Sequence, residues 1–195
     1  GRERWHTAQV AAQRIRAATD RPPTALGGLA AVHLVYPSPA ARLRGELRFL
    51  VPSACAAKAR LAVADLLGVE VTAHVIPGSS PRSWDEAVRL RGSALFDEGW
   101  QLPTLEDAAL LTLPVLETHQ GPRAMAALVD LVLLTKHPHF HWETFAQRAA
   151  MWRLRPAAWS ALRTIRERFG CHTPTTALRR LEPSPWERIL RNFLG

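Results

Sequence analysis

The stretch TALGGLAAVHLVYPSPAARLRGELRFLV, residues 24–51, together with VEVTAH at 69–74, decides how this chain is read. A short apolar run, Thr24–Leu26, meets Gly27-Gly28; apolar residues then carry a helix to Tyr36-Pro37; a second apolar run, Glu46–Val51, follows the Arg42–Gly45 turn. Short apolar runs bounded by glycine and proline predict strands, so the order is strand, glycine turn, helix, strand. A third strand is predicted over Glu70–Ile76. Side chains alternate faces along a strand, which puts Glu46 and Arg48 on one face, and Glu70, Thr72 and His74 on one face of the next.

Outward from this stretch, Trp5–Ala18 has a helical pattern, and Ser53 is placed to cap a helix running to Leu67, with Gly68 as its stop. Strands alternating with helices predict a layered sheet. The turn-forming PGSSPRS at 77–83 then separates this half from a second one that reads as helix throughout. There Thr104-Leu105-Glu106-Asp107 has the form of a capping box, and Pro122 stands where a helix begins. Met125, Leu128, Val129, Val132 and Leu133 form an i, i+3, i+4 stripe. Trp142–Leu154, Pro156–Phe169 with Gly170 behind it, and a last helix opening at Ser184 complete the set. The expected fold is α+β: an α/β unit with a small mixed sheet over residues 1–80 and a helical bundle over 81–195. A chain of 195 residues, 47% of them hydrophobic, can bury a proper core.

Four segments carry a family resemblance. Leu26-Gly27-Gly28, Val35-Tyr36-Pro37, Arg42 to Val51 (RLRGELRFLV) and Val71-Thr72-Ala73-His74 are similar to the motifs LKG, LYPDP, R-x-x-G-D-x-D-L-L-V and V-D-L-H. These belong to an uncharacterised bacterial nucleotidyltransferase family of the polymerase-beta-like superfamily. LPTLEDAALL, ALVDLVLL and HWETFAQRAAMWRLRPAAWSALRTIRERFG resemble the helical part of the same proteins, so the likeness covers most of the chain. It implies a nucleotidyltransferase-like sheet in which three carboxylates hold magnesium against a nucleoside triphosphate, because hard cations need oxygen ligands and in-line transfer needs both oxygens stabilised.

The departures from that pattern set the functional expectation. Glu46 stands at the first carboxylate position, Arg48 at the second and Thr72 at the third, and Gly27 replaces the lysine of the glycine motif. Arginine keeps its charge. At about 4 Å and an effective dielectric near 20, two like unit charges cost roughly 4 kcal/mol, and a divalent ion doubles that. No catalytic residue, metal or cofactor is therefore expected. The resemblance implies instead a catalytically degenerate protein that binds a protein partner or an anionic ligand (nucleotide, phosphate or acidic peptide) in the old cleft. The ligand-binding candidates are Gly27, Gly28, Arg42, Arg44, Arg48, Glu70 and His74. Two alternatives stand beside it: an active, divergent enzyme holding magnesium through Glu46 and Glu70, and a nucleic-acid binder using the C-terminal helices.

Charge gives the last alternative its basis. The chain carries 25 Lys+Arg against 17 Asp+Glu, a net +8; residues 148–195 contain ten arginines against three glutamates, an excess of seven. Such clustering attracts anionic partners, although a solvated helical surface is the plainer account of it. Trp142, Trp152, Trp159 and Trp186 interleave with these arginines, and packing is the ordinary use of tryptophan at helical spacing. His137, His139 and His141 alternate as zinc ligands do, but beside Pro138 they read as a loop. Asp130, alone in an apolar helix, is either a functional acid, a hydrogen-bonded group between helices or an edge residue. The apolar run Ala124–Thr135 is too short to span a bilayer, GRERWHTAQ has no signal-peptide pattern, and Cys55 and Cys171 have no ligand spacing. A cytoplasmic location without membrane attachment is the expectation.

Overall fold

Three- and four-residue strands can hold a sheet together only if both of its faces are covered, and that is how this chain is built. The computed structural model describes residues 2–38, 41–42, 47–74, 82–95 and 99–184. Helix α1 (Arg2–Thr19) leads into β1 (Thr24–Leu26), α2 (Gly28–Val35) and β2 (Leu47–Leu50). A single 3-10 turn at Ser53–Cys55 opens α3 (Ala56–Ala62), followed by β3 (Val69–Thr72) and α4 (Arg82–Arg91). Next come β4 (Ser93–Leu95), β5 (Trp100–Leu102) and then helices α5 (Leu105–Thr118), α6 (Pro122–Lys136), α7 (Trp142–Met151), α8 (Arg155–Phe169) and α9 (Thr175–Leu181).

The sheet runs in the order β3-β2-β1-β5-β4 and is mixed: β2 lies antiparallel to β1 and parallel to β3, while β5 lies parallel to β1 and antiparallel to β4. The period-2 alternation sorts its residues between two cores. Ala25, Leu47, Phe49, Val71, Trp100 and Leu102 face α1 and α3, where Ala8, Ala11, Ala12 and Ile15 let the α1 backbone come close. The Trp100 indole fills this layer edge-on to Trp5 at 5.5 Å and Phe49 at 6.1 Å. Leu26 and Leu50 turn to the other face and join the core of α5, α6, α7 and α8, built on Leu110, Leu131, Leu134, Phe145, Trp152 and Leu162. The α+β fold, with a mixed sheet and helices toward the C-terminus, is as the sequence reads.

Several details differ. The second half is not all helix: the hairpin of β4 and β5 falls past residue 80 and completes the sheet through β1. Strands of three residues are too short for alternation to show, and the segment offered no pattern to read. The helix expected from Ser53 to Leu67 is shorter, and Ser53 caps nothing, the helix proper beginning at Ala56. On α6 the buried face runs through Ala127, Asp130, Leu131 and Leu134, so Met125 of the expected stripe is half-exposed. The polar Asp130 belongs to the interior face, which the hydrophobic pattern alone could not show. The Glu70–Ile76 strand stops at Thr72, whose hydroxyl donates to the His74 carbonyl and accepts from the His74 amide, turning the chain. The N-cap half of the expected capping box holds: the Thr104 hydroxyl accepts the Asp107 amide hydrogen at the start of α5, while the Asp107 carboxylate accepts from Arg91. Glu46 and the helix expected after Ser184 lie outside the described residues.

Candidate functional site

Face alternation that turns Leu26 and Leu50 toward the helices also turns Arg48, Glu70 and Thr72 that way, since Arg48 pairs in register with both Leu26 and Glu70. Between this sheet face and helices α5 and α6 lies a cleft of about 510 Å3, lined by Gly27, Gly28, Arg42 and Arg48 on the sheet side. Leu111, Thr112, Val115, His119, Arg123, Ala126, Ala127 and Asp130 line its helical side. Gly27 turns the chain from β1 into α2 with φ at 57° and ψ at −132°, a conformation costly for any residue with a Cβ. Gly28 has a different reason to be glycine: a Cβ there would stand 3.2 Å from Nη1 of Arg42.

Arg42 is held by a buried clamp. Its Nε and Nη2 donate to the two oxygens of Asp130 at 2.9 and 2.8 Å, and the Tyr36 hydroxyl donates to the same carboxylate at 2.8 Å. The Asp130 side chain is 3% exposed and that of Arg42 18%. Two parallel N–H···O bonds fix the guanidinium plane as one bond could not. Hydrogen bonding to Asp130 raises the Arg42 pKa further above its ordinary value. Burial, then the Asp130 charge, pushes the Tyr36 phenol well above the usual tyrosine range. Sequence reading singled out Arg42 and weighed Asp130 as a group held between elements; Tyr36 was legible only as part of a motif.

Arg48 and Glu70 form an ion pair with Nε 3.0 Å from the carboxylate oxygen. The contact is coulombic, because the Nε hydrogen is not aligned with that oxygen and makes no hydrogen bond. With Glu70 44% exposed, such a pair contributes about 0–1 kcal/mol. His74 lies beyond the end of β3 and puts Nδ1 2.9 Å from Asp85 on α4. The strand expected to carry Glu70, Thr72 and His74 together ends at Thr72, so His74 lies past it. Arg44 lies outside the described residues, as does Glu46.

No family model, curated protein or solved structure matches the chain.

Magnesium coordination of the kind the resemblance implies does not fit the described side chains. Thr72 spends its hydroxyl on His74, Arg48 brings a fixed positive charge, and Glu70 already answers that charge. Among the described residues no group of three or more His, Cys, Asp or Glu side chains is placed to hold a metal ion. The His137 and His139 rings lie tilted at 45° with centroids 5.6 Å apart, while His141 turns to Glu106, 3.3 Å away.

A second buried charge network lies away from the cleft. Asp107, fully buried, accepts two hydrogen bonds from Arg91 at 2.9 Å and sits 3.0 Å from Arg148, which also donates to Thr104 at 2.7 Å. These contacts tie α4, α5 and α7 together. In the C-terminal helices, Arg163 pairs with Glu167 and stacks 4.9 Å from the Trp159 ring, Arg180 pairs with Glu143, and Arg155 donates to the Glu182 carbonyl. Arg153, Arg166, Arg168 and Arg179 are exposed. Among the described residues no helix is long and apolar enough to cross a membrane.

Proposed function

We propose that this chain is a nucleotidyltransferase-like protein that has lost metal-dependent transfer chemistry and serves as a binding protein for an anionic ligand. The observation that carries the reading is the cleft beside the Gly27-Gly28 turn, where Arg42, Arg48 and Arg123 gather on one lining, two of them held in place by the carboxylates of Asp130 and Glu70. In a partly enclosed site, fixed cations attract an anion more strongly than they would in water. Asp130 does not cancel Arg42 as an anion donor: Nε and Nη2 are occupied, and Nη1 remains on the side of Gly28. The degenerate positions add to this. Arg48 and Thr72 stand where the resemblance implies carboxylates, and neither is arranged to take a cation.

The basic C-terminal helices leave a nucleic-acid surface as the second reading: Arg153, Arg166, Arg168 and Arg179 are exposed, while Arg148, Arg163 and Arg180 have carboxylate partners and Arg155 a carbonyl.

A thermal-shift series with inorganic phosphate, pyrophosphate and nucleoside triphosphates, each with and without magnesium, tests the reading. Anions that bind the folded state raise the melting temperature by mass action, and here they do so without magnesium. Incubation with labelled triphosphate, magnesium or manganese and candidate acceptors should give no transfer. Metal-dependent label transfer that disappears in Glu46→Ala or Glu70→Ala would overturn the proposal.

A further inference from the structure

We infer that the cleft accepts an amphipathic anion, a phosphate headgroup carrying an aliphatic chain. The inference rests on the anion-binding reading and adds what the anion carries. The two sides of the cleft differ in chemistry. On the sheet side Arg42 presents Nη1 beside Gly28, and Arg48 projects from the same face as Leu26 and Leu50. On the helical side, Leu111 and Val115 of α5 and Ala126 and Ala127 of α6 make an aliphatic wall, with alanines where larger residues would close the space. The wall has a length. Asp130, which anchors Arg42, and Arg123, also on the lining, are seven residues apart on α6; at 1.5 Å per residue the strip between them is about 10 Å long.

What the lining lacks among the described residues is equally informative. It contains no Phe, Tyr or Trp ring and no Asn or Gln side chain, and its one aromatic ring is the His119 imidazole, which lies against Thr118 and Arg123. A nucleobase is ordinarily held by stacking and by donors and acceptors that read its edge. Along the wall of Leu111, Val115, Ala126 and Ala127 a base would meet methyl and methylene groups. An alkyl chain finds the surface it needs, and each buried methylene strengthens binding about fourfold.

Isothermal titration calorimetry on the full chain tests this with inorganic phosphate, hexyl phosphate, octyl phosphate, octanol and adenosine triphosphate, all below micellar concentrations. Octyl phosphate is expected to bind at least roughly tenfold more tightly than inorganic phosphate, with hexyl phosphate between them and octanol not binding. Ala126→Trp on α6 and Val115→Trp on α5, which fill the wall from opposite helices, should each remove the chain-length dependence and leave inorganic phosphate binding in place. Octyl phosphate no tighter than inorganic phosphate would overturn the inference and leave the anion site standing. So would adenosine triphosphate binding more tightly than octyl phosphate, or a chain-length gain that survives both tryptophan variants. Binding of none of the anions would remove both the inference and the anion-binding function beneath it.

Discussion

Removing the Asp130 carboxylate leaves the Arg42 guanidinium largely buried with nothing to answer its charge. Breaking a buried pair from one side costs about 3–5 kcal/mol, so Asp130→Ala should lower the urea midpoint by a corresponding amount, and Asp130→Asn nearly as much. The same change has a spectroscopic signature, because Tyr36 is the chain's one tyrosine. Its phenol is held protonated first by burial and then by the neighbouring carboxylate. In Asp130→Asn the tyrosinate absorbance should therefore appear at lower pH than in the parent, while burial keeps it above the free-tyrosine value of about 10. An unchanged titration would mean that the carboxylate does not govern the phenol. Gly28→Ala makes a complementary probe. The new methyl meets the tip of Arg42 at 3.2 Å. Gly28 opens a helix without a left-handed backbone, so stability should change by less than about 1 kcal/mol. Phosphate affinity should fall several-fold as the guanidinium is displaced, read by the same thermal-shift titration.

The start of α5 concentrates what holds the helices to one another. Thr104 accepts from both the Asp107 amide and Arg148, so Thr104→Ala should cost at least the roughly 1 kcal/mol of an N-cap, with the helical core loosening first. Glu106 supplies a pH dependence. Burial works to raise its pKa, but hydrogen bonds from the His141 backbone amide, its own amide and Thr104 outweigh it, leaving the carboxyl below the usual glutamate range. A carboxyl depressed in the folded state stabilises fully above its unfolded pKa of about 4.3, and that stabilisation fades as pH falls through the folded value. The stability gap between parent and Glu106→Gln should accordingly be largest near neutral pH and shrink on acidification. A gap independent of pH would contradict the assignment. This helix start was readable in the sequence because capping is local: donor and acceptor are three residues apart. The β4–β5 hairpin was not, because three-residue strands acquire their identity from the neighbour they pair with, and β1 lies some seventy residues earlier in the chain.

Across the whole molecule, β1 lies between β2 and β5 and beneath two cores, whereas β4 has a neighbour on one side only. Hydrogen exchange should follow that order, with β1 and β2 amides opening only on global unfolding and β4 amides exchanging earlier. Equal protection in all five strands would contradict it. The alternation of apolar runs with glycine and proline showed the sheet and its glycine turn, because those signals are written within a few residues of the elements they specify. The cleft was less legible. Arg42 and Arg48 could be picked out individually, but the wall of Leu111, Val115, Ala126 and Ala127 looks like ordinary helix core until tertiary contacts separate the cleft-facing residues from the packed ones. Asp130 and Arg42 are 88 residues apart, and Asp130 and Tyr36 are 94. That separation has a temporal consequence. Closing so long a loop is an entropic cost met only after nearer contacts have formed, so the clamp of Arg42, Asp130 and Tyr36 is among the last features to assemble. On the ribosome, β1, α2 and β2 emerge well before α6, and until Asp130 arrives Arg42 has no fixed orientation. Under the proposed anion-binding function, ligand capture would report that the chain has been made and folded through α6, and a nascent or interrupted chain would remain blind to the anion.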